Sequence, residues 1–128
     1  MDKKPSEYIS EFLNFVAEAQ SQYKFCFDEV KNQESLTQDY LHSLELDGLK
    51  RDERSKVATK LAINRKDRRY YKDRVEELAP IVQFLEDPHN KKVLDRLRSV
   101  TLGEVRRAES YHKDRKYIPK VLKEKKNG

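Results

Sequence analysis

Two stretches of this sequence carry apolar residues at alternating spacings of three and four residues, and this pattern constrains the fold more than any other feature. A 4-3 alternation keeps one stripe of a helix facing a partner helix. We call the two stripes the first seam and the second seam. The first comprises Ile9, Phe12, Val16, Ala19, Tyr23, Cys26, Val30, Gln33, Thr37, Tyr40 and Leu44, and the second comprises Val57, Leu61, Asn64, Arg68, Tyr71, Val75, Leu78, Val82 and Leu85. The sequence therefore predicts two long helices packed along their seams.

The turn between the two stretches determines how the seams meet. Gly48 predicts the end of the first helix, because glycine favours the left-handed conformation past a helix C-terminus. If the chain folds back there, positions whose numbers add to 101 lie opposite each other, and apolar residues meet apolar ones. The polar interruptions also match, because Thr37 then faces Asn64 and Gln33 faces Arg68. A buried hydrogen-bond donor without an acceptor costs about 1–3 kcal/mol. We therefore predict two polar seam layers, Thr37 with Asn64 and Gln33 with Arg68.

The chain after the hairpin predicts a third, bent helical segment over roughly 88–115. The capping-box pattern that begins at Thr101 predicts that this helix restarts after a bend. Ser6 is a candidate N-cap for the first helix, and the sequence leaves open whether that helix continues through Ser35. Pro80 predicts a kink or a join in the second helix, because proline lacks the amide hydrogen.

Composition favours long helices with a thin core. The chain is 36% hydrophobic and 40% charged and has only three glycines, which is typical of amphipathic helices with wide solvated faces. Disorder is the alternative for so polar a chain, and the sustained periodicity argues against it. We predict an all-α protein, with a long antiparallel, coiled-coil-like hairpin and the third segment packed on it. The predicted single domain covers 1–118, and 119–128 form a basic, mobile tail.

No catalytic, cofactor-binding or metal-binding motif is supported by the residue pattern. Two acid–histidine pairs have the spacing of helical-bundle metal ligands, namely Asp39 with His42 and Glu109 with His112. No seam position of either long helix is acidic or a histidine, so the inward ligands that such a site needs are missing. Cys26 lies on the first seam, where a thiol acts as a small apolar group. We predict no enzyme activity, cofactor, metal or small-molecule substrate, and we expect a cytoplasmic protein without membrane binding.

Charge is distributed unevenly along the chain. Residues 1–49 carry four Lys against ten Asp or Glu, a net −6, whereas 50–74 carry eleven Lys or Arg against four acids, a net +7. Residues 91–128 form a second basic cluster of net +8. Either the carboxylates of the first helix neutralise the basic face of the second, or that face binds the phosphates of a nucleic acid. The candidate nucleic-acid-binding residues are Lys56, Lys60, Arg65, Lys66, Arg69, Lys72 and Arg74.

Three stretches, Leu41–Leu46, Arg68–Asp73 and Leu102–Arg107, resemble small all-helical uncharacterised proteins of phages and prophages of Gram-positive bacteria. The resemblance implies an early or accessory factor that binds host or phage proteins or nucleic acid, and it supplies no site residues.

Two hypotheses for function follow from these patterns. The first is a non-enzymatic protein-interaction module. Four further apolar residues widen the stripe of the first helix, namely Leu13, Phe15, Phe27 and Leu41, so the third segment or a second copy must cover it, and a homodimer is one predicted outcome. The alternative is a nucleic-acid-binding accessory protein that uses the basic face of the second helix and the basic C-terminal segment.

Overall fold

The structure, a computed structural model, describes residues 1–116 and residue 121. All regular structure in these residues is helical. Helix α1 spans Pro5–Leu46, α2 spans Arg51–Glu86, α3 spans Pro88–Arg96 and α4 spans Leu102–Asp114. A π-helical turn over Leu97–Thr101 joins α3 to α4. The predicted tail over 119–128 lies outside the described residues, except for Val121.

Helices α1 and α2 pack together as an antiparallel hairpin, which confirms the predicted fold class. Helix α1 ends before the turn at Gly48, whose φ of 57° is the left-handed conformation expected past a helix end. Helix α1 is continuous through Ser35, which answers the question that the sequence leaves open. Helix α2 is also continuous through Pro80, so the missing amide hydrogen does not divide it.

The two seams form the interface of the hairpin. Every position of the second seam is buried or half-buried, and the same holds for the first seam except at Phe12. In the register that adds to 101, Phe12 lies opposite position 89, and α2 already ends at Glu86, so no residue of α2 covers it. The core is thin: Cys26, which keeps 2% of its surface exposed, is the most buried residue of the described core.

A hydrogen-bonded polar cluster of Gln33, Thr37 and Asn64 lies in the middle of this interface. The Nδ2 amide of Asn64 donates to Oε1 of Gln33 at 2.7 Å and to the backbone carbonyl of Gln33 at 2.9 Å. The Oγ1 of Thr37 lies 2.5 Å from Oδ1 of Asn64 and 2.9 Å from the same carbonyl, so its single proton serves one acceptor at a time. Asn64 is only 3% exposed. Among the described residues, every buried side-chain polar atom has a hydrogen-bond partner.

Gln33 and Arg68, which were predicted to form the second polar layer, do not bond to each other. The side chain of Gln33 bonds to Asn64 instead, one turn earlier on α2. The guanidinium of Arg68 lies at the rim of the interface, where Nη2 donates to Oε1 of Glu34 at 3.3 Å and the side chain is 23% exposed. The long arginine side chain reaches solvent with its charge, and this avoids the cost of burying a guanidinium.

The third helical segment is one continuous helix with a π-helical turn inside it. Asp87 caps the start of this helix, because its Oδ1 accepts hydrogen bonds from the backbone amides of His89 and Asn90 at 2.9 and 3.2 Å. The predicted restart at Thr101 is wrong, since Thr101 makes no capping hydrogen bond and the backbone stays right-handed helical from Arg96 to Leu102. A π-helical turn accommodates one extra residue in place of a break.

Helix α4 packs on the first turns of α1 through Ser6 and Glu109. The Ser6 amide donates to Oε1 of Glu109 at 2.9 Å, and the Ser6 hydroxyl donates to Oε2 at 2.6 Å. The predicted N-cap role of Ser6 is wrong, because Lys4 is the N-cap and a carboxylate from another helix satisfies the Ser6 amide. These hydrogen bonds hold the pKa of the Glu109 carboxyl below its ordinary value, and the bond from the hydroxyl is the larger cause.

We expect the polar cluster to behave as a coupled unit. Thr37→Val and Asn64→Leu each leave a buried polar group without its partner, so each should lower the free energy of unfolding by about 1–3 kcal/mol. The double variant should lose less than the sum of the two, because each single variant already removes the hydrogen bond between Thr37 and Asn64, and the difference should be about 0.5–3 kcal/mol. Urea unfolding followed by circular dichroism measures the cycle. Thr59→Val, which removes an exposed hydroxyl bonded within its own helix, is the control, and losses that add within about 0.3 kcal/mol would contradict the coupling.

Glu109→Gln tests the contact between α4 and α1. The substitution removes the charge and one acceptor oxygen, so the melting temperature should fall at neutral pH. A native pKa below the ordinary value of 4.5 stabilises the fold above that pH, and the stabilisation is lost as the pH falls through the native pKa. The two melting temperatures should therefore converge as the pH falls below 4.5 and passes through the native pKa of Glu109. Glu104→Gln, an exposed change on the same helix, should have no effect, and a difference for Glu109→Gln that persists in acid would contradict the assigned role.

Candidate interaction surfaces

The seams divide the hairpin into two sides. Successive helical residues are about 100° apart, so the residue before a seam position and the residue after it leave the helix on opposite sides. Because α1 and α2 are antiparallel, the residues that precede seam positions share one side on both helices, and the residues that follow share the other. Tyr70 and Lys72 flank the seam residue Tyr71, and they line two different grooves.

The first side carries a row of exposed apolar residues, each of which directly precedes a seam position. We call this row the apolar flank, and it consists of Tyr8, Phe15, Phe25 and Leu36 on α1 with Ile63, Tyr70 and Phe84 on α2. The exposed fractions run from 38% for Tyr8 to 58% for Phe84. Helix α4 leaves this flank uncovered. It bonds to Ser10, which follows a seam position and so lies on the other side of the hairpin, and the buried Leu13 lies on that side too.

Aromatic contacts connect the two helices across the apolar flank. The rings of Phe25 and Tyr70 each meet the ring of Tyr71 edge-on, with centroids 6.1 and 5.3 Å apart, an arrangement that aromatic rings prefer. Phe15 and Tyr70 line one shallow groove of about 350 Å³. The guanidinium of Arg74 lies 5.7 Å from the centroid of the Tyr70 ring, in cation–π contact. The contact between Phe25 and Tyr71 and the groove shared by Phe15 and Tyr70 therefore link members of the flank on α1 and α2.

The opposite side carries a basic groove, which we define by Lys31, Arg65, Arg68 and Lys72. The three α2 residues are spaced at i, i+3 and i+7 and so lie on one helical face. Phe27 lines the same groove, and Nζ of Lys31 lies 4.6 Å from the centroid of its ring. Tyr23 stacks on Phe27 with centroids 6.1 Å apart. The groove thus combines clustered cations with an exposed aromatic ring.

The predicted nucleic-acid-binding residues do not form one face. Arg65 and Lys72 lie in the basic groove. Arg69 follows a seam position on the same side but farther from α1, and it lies 4.0 Å from Asp73. Lys66 is two residues from the nearest seam positions and faces away from α1. The remaining three precede seam positions and border the apolar flank, namely Lys56, Lys60 and Arg74.

The carboxylates of α1 neutralise little of this basic groove. Within residues 1–116 and 121, a single ion pair joins α1 to α2, between Arg68 and Glu34 at 3.3 Å. Glu34 and Glu76 are the acids that line the groove, so its four cations outnumber its acids. Of the three groove cations on α2, only Arg68 forms an ion pair with a carboxylate of α1 within the described residues.

The basic C-terminal segment lies apart from the groove where the structure describes it. Nη2 of Arg106 donates to Oγ of Ser10 at 3.2 Å, which places α4 beside the first turns of α1. Ser10 and Lys31 are separated by about 30 Å along α1, at 1.5 Å per residue. Residues of α4 therefore do not extend the basic groove.

Cys26, Glu109 and His112, which the sequence singles out as reactive, have packing or hydrogen-bonding roles, whereas Asp39 and His42 are exposed. Burial raises the pKa of the Cys26 thiol, which disfavours the reactive thiolate. Glu109 bonds to Ser6, and the ring of His112 lies 5.8 Å from that of Tyr111. Among the described residues, no three His, Cys, Asp or Glu side chains are grouped as a metal site would require. No described helix has the length and apolar character needed to cross a membrane.

The apolar flank and the groove positions of Lys31 and Arg68 are not among the features predicted from the sequence. The signal for the flank was present, because every member stands immediately before a seam residue. The seam pattern places only the Cα of Arg68 at the interface, and its side chain extends from there into the groove. Lys31 directly follows the seam residue Val30, which places it on the groove side.

Comparison with protein-family models, with curated proteins and with solved structures finds no match to this chain.

Proposed function

We propose that this chain is a non-enzymatic helical interaction module that binds another protein through its apolar flank. The observation that carries the proposal is the row of exposed apolar side chains on one side of a hairpin whose seam is already filled. Single exposed apolar residues are ordinary, whereas seven of them lie on this one side of the hairpin, interspersed with charged and polar residues that also precede seam positions. This function agrees with the accessory role implied by the resemblance to phage proteins.

The size of the flank supports a specific interface. A fully covered aromatic side chain buries roughly 150–250 Å², so the five aromatic residues of the flank, each about half exposed, offer about 500 Å². Leu36, Ile63 and the polar residues around them add to this area. A standard interface buries about 800 Å² on each partner, and the flank with its polar border is close to that size.

Site-specific photo-crosslinking tests the proposal. We expect benzoylphenylalanine at position 25, on the apolar flank, to form a covalent adduct with a protein when cells that make the variant are irradiated. The same probe at position 66 faces away from α1 and serves as the matched control, so it should give no such adduct. Adducts with another protein or with a second copy both support the function. No adduct from position 25, or the same adduct from position 66, would contradict it.

A second candidate function is nucleic-acid binding by the basic groove. The observation that favours it is that only Arg68, among the cations of the groove, has an acidic partner in the described structure. Cations at helical spacing follow a phosphate backbone, and Phe27 offers an exposed ring on which an unpaired base stacks. The apolar flank lies on the opposite side, so the two functions do not compete for one surface.

Fluorescence anisotropy with labelled single-stranded DNA, double-stranded DNA and RNA tests the second candidate. Binding should weaken steeply between about 50 and 200 mM salt. Arg65→Gln with Lys72→Gln should reduce the slope of log affinity against log salt by about 1.4–1.8, because two phosphate contacts are lost. Lys60→Gln with Arg74→Gln, on the other side of the hairpin, is the charge-matched control. Equal losses in the two double variants, or no binding at the lower salt, would eliminate the groove as the site.

A further inference from the structure

We propose that the protein bound by the apolar flank is a second copy of this chain, and that each α1 packs against the partner's α2 in a four-helix bundle. The proposal rests on the proposed function, since it names the partner of the same surface. Two flanks that meet face to face can be related by a twofold axis parallel to the helices or by one perpendicular to them. The parallel axis places α1 against α2, and the perpendicular axis places α1 against α1.

The charges beside the flank favour the parallel axis. On α1, the charged residues that precede seam positions are all acidic, namely Glu11, Glu18, Glu29 and Asp39. On α2 the corresponding residues are Lys56, Lys60 and Arg74 with Asp67 and Glu77. Pairing α1 with α1 would oppose four acids with four acids, which like-charge repulsion disfavours. Pairing α1 with α2 opposes the acidic row with a row of net positive charge.

Two pairs of flank residues also come to similar heights in this arrangement, whereas Phe25 faces the partner's Glu77. A twofold axis parallel to the helices preserves height along the hairpin, so the register that adds to 101 also relates α1 to the partner's α2. Leu36 then lies within two residues of the partner's Ile63, and Phe15 lies within two residues of the partner's Phe84. Two residues correspond to about 3 Å along a helix. Glu29 is equally close in height to the partner's Arg74, so apolar layers and a charge pair form together.

The positions around the helices also suit a bundle. Residues that precede seam positions leave each helix about 100° from the seam, close to the right angle at which the second interface of a four-helix bundle lies. Helix α4 packs on the opposite side of α1, so it does not obstruct the second copy. In the bundle, the two basic grooves lie on opposite outer faces and stay accessible.

Sedimentation equilibrium of the full chain tests this inference. At about 50 µM we expect a mass near twice the chain mass of 15.3 kDa. Phe25→Asp with Tyr70→Asp should yield the mass of one chain, because carboxylates would be buried in an apolar interface. Ile63→Asp is a second flank variant that leaves the aromatic contacts intact, and it should also be monomeric. Phe27→Asp, two residues from Phe25 but on the groove side, should remain dimeric, and circular dichroism should report equal helicity for all variants.

A mixed disulfide tests the pairing of α1 with the partner's α2. Both test chains carry Cys26→Ala, and each has one new cysteine, Leu36→Cys in one and Ile63→Cys in the other. A mixture of the two chains should form a disulfide-linked heterodimer when oxidised with copper–phenanthroline. Either chain by itself should form much less disulfide-linked dimer. A monomeric wild-type chain, or a dimer unaffected by the flank variants, would overturn the inference. A monomer whose position-25 probe still captures a different protein would leave the proposed function standing, whereas no capture of any kind would end both.

Discussion

The hydrogen bonds among Asn64, Gln33 and Thr37 determine the register on which the rest of the structure depends. Apolar packing is non-directional, so a purely apolar seam would lose little if one helix slid by a turn. A buried amide loses its partners in any other register, which costs more than most single contacts contribute. The cluster therefore selects one alignment of α1 and α2. A shift of one turn, about 5.4 Å, would separate Phe25 on α1 from the ring of Tyr71 on α2 that it contacts.

This register separates the hairpin into two sides with different chemistry. Residues before the seam positions include the seven members of the apolar flank, and residues after them include Lys31, Arg65 and Lys72 of the basic groove. Packing of α4 at Ser6 reinforces the difference, because it covers the beginning of the groove side and leaves the apolar flank open. The thin core and the exposed flank are related: a hairpin one seam thick has little apolar area to bury within itself, so a chain that covered the flank, as proposed above, would add stabilisation.

The sequence predicted the features that depend on helix periodicity alone. The seams, the turn at Gly48 and the pairing of Thr37 with Asn64 need only the geometry of two antiparallel helices. The contact of Ser6 with Glu109 could not be predicted from the sequence, because the two residues are 103 positions apart and meet only through the placement of α4. Arg68 was misassigned for a different reason: a seam position fixes its Cα, whereas its long side chain reaches the rim. The apolar flank follows only from the side of the hairpin that each neighbour of a seam residue occupies.

The side-chain amide of Asn64 reports most directly on the central interaction. Heteronuclear NMR of the isotope-labelled protein resolves the Nδ2 protons, and their exchange with water and their nuclear Overhauser effects can be measured together. The account predicts slow exchange and Overhauser contacts to the side chains of Gln33 and Thr37, in contrast to the exposed amide of Asn14. Exchange as fast as that of Asn14, without contacts to α1, would contradict the account, because the helices would then be aligned by something other than the polar cluster.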